Sequence, residues 1–321
     1  MTQSGRVLTG SGSLRMAWHQ VPESVRSSIE GSCGSRVVAA ETQHGGFSPG
    51  LAARVRCADG DRYFIKAGTS DLNPYSVSLH RREAQVLTEM DRFIGDRRLP
   101  VPRLRATVEV GSWFGLVLDD VAGYLPVTPW QNEDLQTVIA MLEGLSAALT
   151  PAPIAVPPIA DQYDSSLSGW RTLAGTCMVD TLDPWSRAHL DELAALEETW
   201  AVYSDGETLL HTDVRQDNIL LTDTGATLVD WAHACRGPAF VEVVLFAPSV
   251  AIQGGPQPAE LLAMSAAGRR ADPHALTAIV CALAGYFTEN SLRPAPPGLP
   301  SARSFQAAQG EIARCWLRQL W

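Results

Sequence analysis

The stretch that most limits what this 321-residue chain can become is 209–231, Leu-Leu-His-Thr-Asp-Val-Arg-Gln-Asp-Asn-Ile-Leu-Leu-Thr-Asp-Thr-Gly-Ala-Thr-Leu-Val-Asp-Trp. Its apolar runs Leu209-Leu210, 219–221 and Leu228-Val229 have the length and composition of short buried strands, and Asp223-Thr224-Gly225 reads as a hairpin turn. Polar groups are thereby confined to strand ends. Asp213 and Asn218 fall between the first two runs and Asp230 closes the third, so one folded hairpin is expected to gather three oxygen-bearing side chains. An Asp or Asn alone in a loop is usually a turn former. The joint spacing, with apolar strands on both sides, points instead to a phosphoryl-transfer site.

Such a site needs a carboxylate to orient the attacking hydroxyl and accept its proton, and oxygen ligands to hold magnesium against the nucleotide phosphates. On this reading Asp213 is the base, and Asn218 and Asp230 hold the metal. The pattern His211-x-Asp213-x-x-x-x-Asn218, with Asp230 after a strand-turn-strand, resembles the catalytic loop and metal-binding Asp of protein kinases. The run from His211 to Leu221 followed by Val229-Asp230-Trp231, in place of Asp-Phe-Gly, more closely resembles the aminoglycoside phosphotransferase and choline kinase family. His211 is expected to shape the loop through a buried hydrogen bond, and Trp231 to pack beneath it. Thr212 stands where that family most often has Gly, a departure that bears on the local backbone. Arg215 is expected to meet either the γ-phosphate or a neighbouring carboxylate, and Asp217 to be solvated rather than to support the metal ligands.

The motifs upstream occur in a consistent order. Strand 36–42, the glycine-bearing turn 43–50 and strand 51–57 form an arrangement whose backbone amides can approach phosphates, although hairpins use the same residues for turning. Gly45, Gly46, Phe47 and Ser48 are the candidate phosphate contacts there. After a turn at Asp59-Gly60-Asp61, strand 62–67 carries Lys66 near its end. Lys66 is the sole lysine among 25 basic residues, the rest being Arg, so a compact amine has been kept where a planar fork would not serve. In kinases that amine contacts the α- and β-phosphates and is held by a Glu from the next helix. The apolar spacing over 76–93 predicts an amphipathic helix, and within it Glu83 is the candidate partner of Lys66, with Glu89 as competitor. A hairpin, 104–110 and 113–118, then leads to Asp119-Asp120-Val121, which by resemblance is the hinge whose backbone meets the adenine edge.

Beyond Gly123 the sequence turns helical, with 132–149, 163–179, 184–200, 258–267, 273–292 and 301–321 as the main candidates. The activation segment of a protein kinase is missing after Asp230, where Arg236-Gly237-Pro238 runs directly into an apolar stretch; this disfavours a protein substrate. Glu242 reads as a structural anchor for the loop.

The net charge of −10 argues against a nucleic-acid partner and suits either a cationic small substrate or solubility alone. Six scattered cysteines without a Cys-x-x-Cys pair suggest neither a zinc site nor a disulfide framework. No apolar run of the roughly 20 residues that span a bilayer is evident, nor an apolar leader, so a cytoplasmic chain without membrane contact is expected.

The resemblance covers roughly residues 36–290. It implies an α+β, protein-kinase-like bilobal fold, with a mainly β N-terminal lobe over 1–122 and a mainly helical C-terminal lobe over 123–321, acting as a monomer or weak homodimer. It implies magnesium-dependent transfer from ATP, with GTP left open, to a hydroxyl of a small molecule. The first expectation for the acceptor is an antibiotic, an aminoglycoside or another hydroxylated natural product. The alternatives are a metabolic sugar, choline or amino-alcohol kinase, and a nucleotide-binding scaffold without catalysis.

Overall fold

The computed structural model describes residues 15–43, 49–95, 97–296 and 301–321. In chain order the N-terminal elements are β1 (Arg15–Met16), α1 (Glu23–Cys33), β2 (Val37–Thr42), β3 (Gly50–Cys57), β4 (Arg62–Thr69), α2 (Pro74–Ile94), β5 (Leu104–Val110) and β6 (Trp113–Asp119). There follow α3 (Asn132–Ala148), α4 (Ile159–Tyr163), α5 (Gly169–Ala174), α6 (Pro184–Ala188), α7 (Leu190–Glu198), α8 (Trp200–Tyr203), β7 (Thr208–Leu210), β8 (Ile219–Thr222) and β9 (Gly225–Leu228). The chain ends with β10 (Cys235–Gly237), α9 (Phe240–Ile252), α10 (Pro258–Met264), α11 (Ala266–Arg269), α12 (Pro273–Leu292) and α13 (Ala302–Leu320). They form two compact units, a sheet-rich one ending at Pro126 but also containing Asp217–Ala234, and a helical one of Val127–Gln216 with Cys235–Trp321. The sheet unit therefore takes in a stretch from far beyond the Gly123 boundary drawn from the sequence.

In the sheet unit the strands run in the order β1-β3-β4-β6-β5, with β2 also paired to β3. Alternation along β4 sends Ile65 and Ala67 to one face and Lys66 and Gly68 to the other. Ile65 and Ala67 join Val25 and Ile29 of α1, Val55, Val108 and Val117 in one buried cluster. Each fully buried aliphatic side chain of this kind contributes roughly 1.5–3 kcal/mol. The opposite face belongs to α2, because a Cβ on Gly68 would lie 3.5 Å from the His80 ring. Asn73 caps α2 by accepting the Ser76 N–H at 3.0 Å, Pro74 opens its first turn, and Gly95 in the left-handed region ends it. Val77, His80, Glu83, Ala84, Leu87 and Met90 form its buried stripe.

The hairpin β8-β9 pairs Ile219 with Leu228 and Thr222 with Gly225. It is fastened to the stretch after β6 by reciprocal hydrogen bonds between Tyr124 and Leu221, at 3.0 and 2.8 Å. A Cβ on Gly123 would lie 2.6 Å from Leu221 O, so that position takes only glycine at this separation.

The helical unit is built around fully buried Trp170, Trp200, Trp316 and Phe246. Leu209-Leu210, expected as a short buried strand, forms part of β7, which pairs antiparallel with β10 in this unit. Where helices over 163–179 and 184–200 were expected, the region 159–203 holds five short ones, with Gly175 ending α5 and Pro184 opening α6. Helix α12 is long and apolar enough to cross a membrane by length and composition, which the sequence reading denied of any segment; 67% of its most apolar window is buried inside the protein, as a core helix is.

Candidate functional site

Two sets of polar side chains stand out, one in each unit. In the sheet unit, Lys66 Nζ donates to both carboxylate oxygens of Glu83, at 2.9 and 2.8 Å, and to Asp230 Oδ1 at 2.9 Å. Register on the sheet and turn spacing on the helix produce this meeting. Lys66 lies on the α2 face of β4, and Glu83 occupies the buried stripe of α2, one turn after His80. Glu83 is fully buried and Lys66 nearly so, whereas the Asp230 side chain keeps 38% exposure. Burial pulls the Lys66 ammonium down, but Asp230 and Glu83 more than offset it and hold its pKa above the usual lysine value. The amine stays charged. Burial pushes the Glu83 carboxyl up against the pull of Lys66, and the Trp231 backbone N–H donates to it. The competitor Glu89 bonds to Gln85 instead, at 3.2 Å.

Asn218 and Asp230 come from the same end of the β8-β9 hairpin. The Val229 N–H donates to Asn218 O at 2.9 Å, which places Asp230 one residue beyond the pair. Asp230 has a φ of 71°, a left-handed backbone that non-glycine residues rarely adopt. Trp231 follows, 1% exposed, its indole N–H donating to Leu228 O at 2.9 Å, so it packs beneath the hairpin end as expected. An amide oxygen and a carboxylate make a hard-oxygen pair suited to magnesium, which keeps further oxygen ligands from phosphate and water. Among the described residues there is no group of three His, Cys, Asp or Glu side chains able to hold a metal by themselves.

The sequence did not single out two further members of this set. Arg15 has Asp230 and Asp217 as its electrostatic neighbours, and burial lowers its pKa against their pull. The reading of Asp217 as merely solvated thus misses a charge partner. His80 is 6% exposed with its Nδ1 unpartnered, and burial, Lys66 and Arg15 bring its pKa down to about 4.

At the expected hinge, the Asp119 N–H is committed to Arg103 O at 3.0 Å and its side chain to Arg105. The Asp120 carboxylate, 3% exposed, pairs with Arg54 and Arg62 at 3.2 and 2.9 Å. Arg54 Nη2 also donates to Val121 O and Gly123 O, at 3.0 and 3.1 Å. One arginine thus stiffens this segment through three acceptors. Gly45, Gly46, Phe47 and Ser48 lie outside the described residues.

In the helical unit, His211 is fully buried, and its Nδ1 accepts the Asp213 N–H at 3.2 Å, the loop-shaping role expected of it. Glu242 of α9 accepts the N–H groups of His211 and Thr212, at 2.9 and 2.7 Å. Burial raises the Glu242 carboxyl to about 7 despite these two donors. Thr212 has a φ of 63°, the backbone that a glycine there would adopt without strain. Arg215 Nη1 lies 3.3 Å from Asp213 Oδ1, so of its two expected partners the carboxylate is the one it meets here. Asp213 also stands among the electrostatic neighbours of Tyr163 and Tyr286.

These arrangements place a sheltered ammonium beside an exposed carboxylate in one unit, and a carboxylate held by an arginine in the other. A family model described as "Phosphotransferase enzyme family" matches residues 54–279. No curated protein sequence matches the chain. Among solved structures of similar fold is a thermostable mutant of aminoglycoside phosphotransferase APH(4)-Ia in ternary complex with AMP-PNP and hygromycin B, at TM-score 0.61 and 14% identity, covering 92% of this chain and 98% of that one. Spectinomycin phosphotransferase APH(9)-Ia, in complex with ADP and spectinomycin, is similar at TM-score 0.54 and 12% identity over 89% and 95%. Choline kinase LicA from Streptococcus pneumoniae is similar at TM-score 0.57 and 10% identity over 91% and 98%. At these identities the likeness is one of fold.

Proposed function

We propose, for a chain that belongs to the phosphotransferase enzyme family, a transfer of the γ-phosphoryl group of ATP to a hydroxyl of a small molecule, assisted by magnesium. Membership makes the chain a small-molecule phosphotransferase; the donor, the metal and the acceptor are what is proposed. One observation carries the reading: the single lysine of the chain is charged, sheltered and fixed between Glu83 and Asp230. An ammonium with those properties suits the α- and β-phosphates, because its charge is not dissipated by water and its position costs nothing further to fix.

Asn218 and Asp230 would hold magnesium, which when bound neutralises charge on the phosphoryl oxygens. Asp213 orients the acceptor hydroxyl and takes up its proton as the oxygen bonds to the γ-phosphorus and the bond from that phosphorus to the departing ADP oxygen breaks. Arg215 holds the Asp213 carboxylate in place, and its guanidinium would meet the γ-phosphate. The backbone of Gly45, Gly46, Phe47 and Ser48 would line the phosphates and that of 119–121 the adenine, with the Asp119 N–H excluded because Arg103 O already takes it.

For the acceptor we favour an antibiotic, an aminoglycoside or another hydroxylated natural product, modified so that it no longer acts. Proteins of this fold bound to hygromycin B and spectinomycin support that choice. The choline kinase of the same fold supports a second reading, a metabolic amino-alcohol or sugar kinase.

The test is mass spectrometry of aminoglycosides, peptide and nucleoside antibiotics, sugars and amino alcohols after incubation with the protein, ATP and magnesium, beside Asp213→Asn. A phosphoryl adduct that the variant does not make establishes the reaction and names the acceptor class. An adduct formed equally well by Asp213→Asn removes Asp213 from the role of base.

A further inference from the structure

The partner of β3 at the edge of the sheet changes between Gln43 and Gly50. β2 follows β3 only to Thr42, opposite Ala53, and Gln43 N–H still reaches Ala52 O at 2.8 Å. From there β1 takes over in parallel, Arg15 opposite Gly50 and Met16 opposite Leu51. A two-residue strand thus brings an arginine to the first residue of β3.

The two positions next along from Arg15 are glycines. A Cβ built on Gly50 would press on Ala67 O and lie 3.3 Å from the Gly68 Cα, so Arg15, Gly50 and Gly68 are successive neighbours on three strands. Gly68 lies on the Lys66 face of β4, by the alternation that separates it from Ala67. The row beside Arg15 carries no side chain for two strands, and a long arginine can cross it. The charges agree with that path: Asp230 and Asp217 draw on the Arg15 guanidinium, and Arg15 in turn acts on His80, which packs over Gly68.

Lys66 is one cation against the two carboxylates it touches, and Asp217 adds a further acidic neighbour beside Arg15. A triphosphate brought to this face would meet little positive charge from Lys66 alone. We propose that Arg15 is a second phosphate-binding residue of the nucleotide site, held by Asp217 and Asp230 before the nucleotide arrives and turned to the terminal phosphates once it has. A guanidinium suits the task, because its planar fork matches two phosphate oxygens at once where an ammonium offers a point charge. The inference rests on the nucleotide reading above.

The experiment is calorimetric titration of the full chain, as wild type, Arg15→Gln and Arg15→Lys, with AMP-PNP and ADP in magnesium, and with AMP. Loss of a charge-assisted contact to the terminal phosphates weakens AMP-PNP in Arg15→Gln on the order of ten- to a hundredfold. ADP weakens less, AMP stays within about twofold, and Arg15→Lys falls between wild type and Arg15→Gln. Equal weakening of all three nucleotides in Arg15→Gln would mean that Arg15 only shapes the sheet, and unchanged AMP-PNP binding would mean that it is a bystander; either overturns the assignment. Failure of the wild type to bind AMP-PNP would overturn the nucleotide reading along with it, whereas binding by the wild type with no difference in the variants sinks the Arg15 assignment alone.

Discussion

The Tyr163 hydroxyl lies 2.8 Å from Thr212 Oγ1, which ties the end of α4 to the strained residue just before Asp213. A non-glycine residue in the left-handed region costs roughly 1–2 kcal/mol, and the hydrogen bond returns about 1 kcal/mol. Thr212→Gly removes both, so its unfolding free energy should stay within about 1 kcal/mol of wild type. Tyr163→Phe alone should cost about 1 kcal/mol, and should cost almost nothing in the Thr212→Gly background. Urea unfolding of the four proteins closes the cycle. Additive effects would mean that the two side chains do not support one another.

Glu242 should matter more. Glu242→Ala leaves the buried amides of His211 and Thr212 without their acceptor, a loss on the order of 3 kcal/mol measured by urea unfolding at neutral pH.

A pH signature accompanies that residue. Its pKa, raised from 4.5 to about 7, means that the folded protein binds the proton more tightly than the unfolded chain does. Its contribution to stability therefore falls as pH rises through this window, by up to ~3 kcal/mol. In Glu242→Gln that fall is absent, so the stability of wild type relative to the variant should drop as pH rises from 5 to 7.

His80 has the opposite sign. With a folded pKa of about 4 against 6.5, it is buried neutral, and the stability this provides is complete above pH 6.5 and lost as pH drops toward 4. Lys66 and Arg15 reinforce the shift and Asp230 opposes it. The variant His80→Leu, which also removes the unpartnered Nδ1, should lose less stability than wild type on acidification from pH 6.5 to 4, by up to ~3 kcal/mol. Parallel curves would show that the ring titrates freely.

Lys66 separates stability from chemistry. Lys66→Met strands Glu83 in the interior and should cost about 3–5 kcal/mol, together with phosphoryl transfer. Adding Glu83→Leu should recover most of the stability and none of the transfer. Activity in the double variant would mean that the amine is structural only.

What could be read in the sequence was whatever repeats with a period or carries a turn. The stripe along 76–93 became α2 because its apolar residues recur on one face, and Glu83, lying in that stripe beside Leu87 and Met90, needed a partner that the only lysine could supply. The hairpin around Asp223-Thr224-Gly225 was visible for the same local reasons. Arg15–Met16 and Cys235–Gly237 were not, since strands of two and three residues exist through a partner distant in sequence and leave no local pattern. Leu209-Leu210 was legible as a buried strand but its partner β10 was not, because the pair looks alike whichever strand it joins. Arg15, whose role depends on two glycines in other strands, could not be found from its own neighbours.

The sheet unit is closed by Asp217–Ala234, made only after the whole of Val127–Gln216. During synthesis Lys66 and Glu83 leave the ribosome long before Asp230 and Trp231 exist, so the nascent sheet must wait with its buried carboxylate incompletely matched. Folding of this chain cannot proceed strictly from front to back, and a gene fragment ending at Pro126 would encode a half-finished sheet unit rather than an autonomous one.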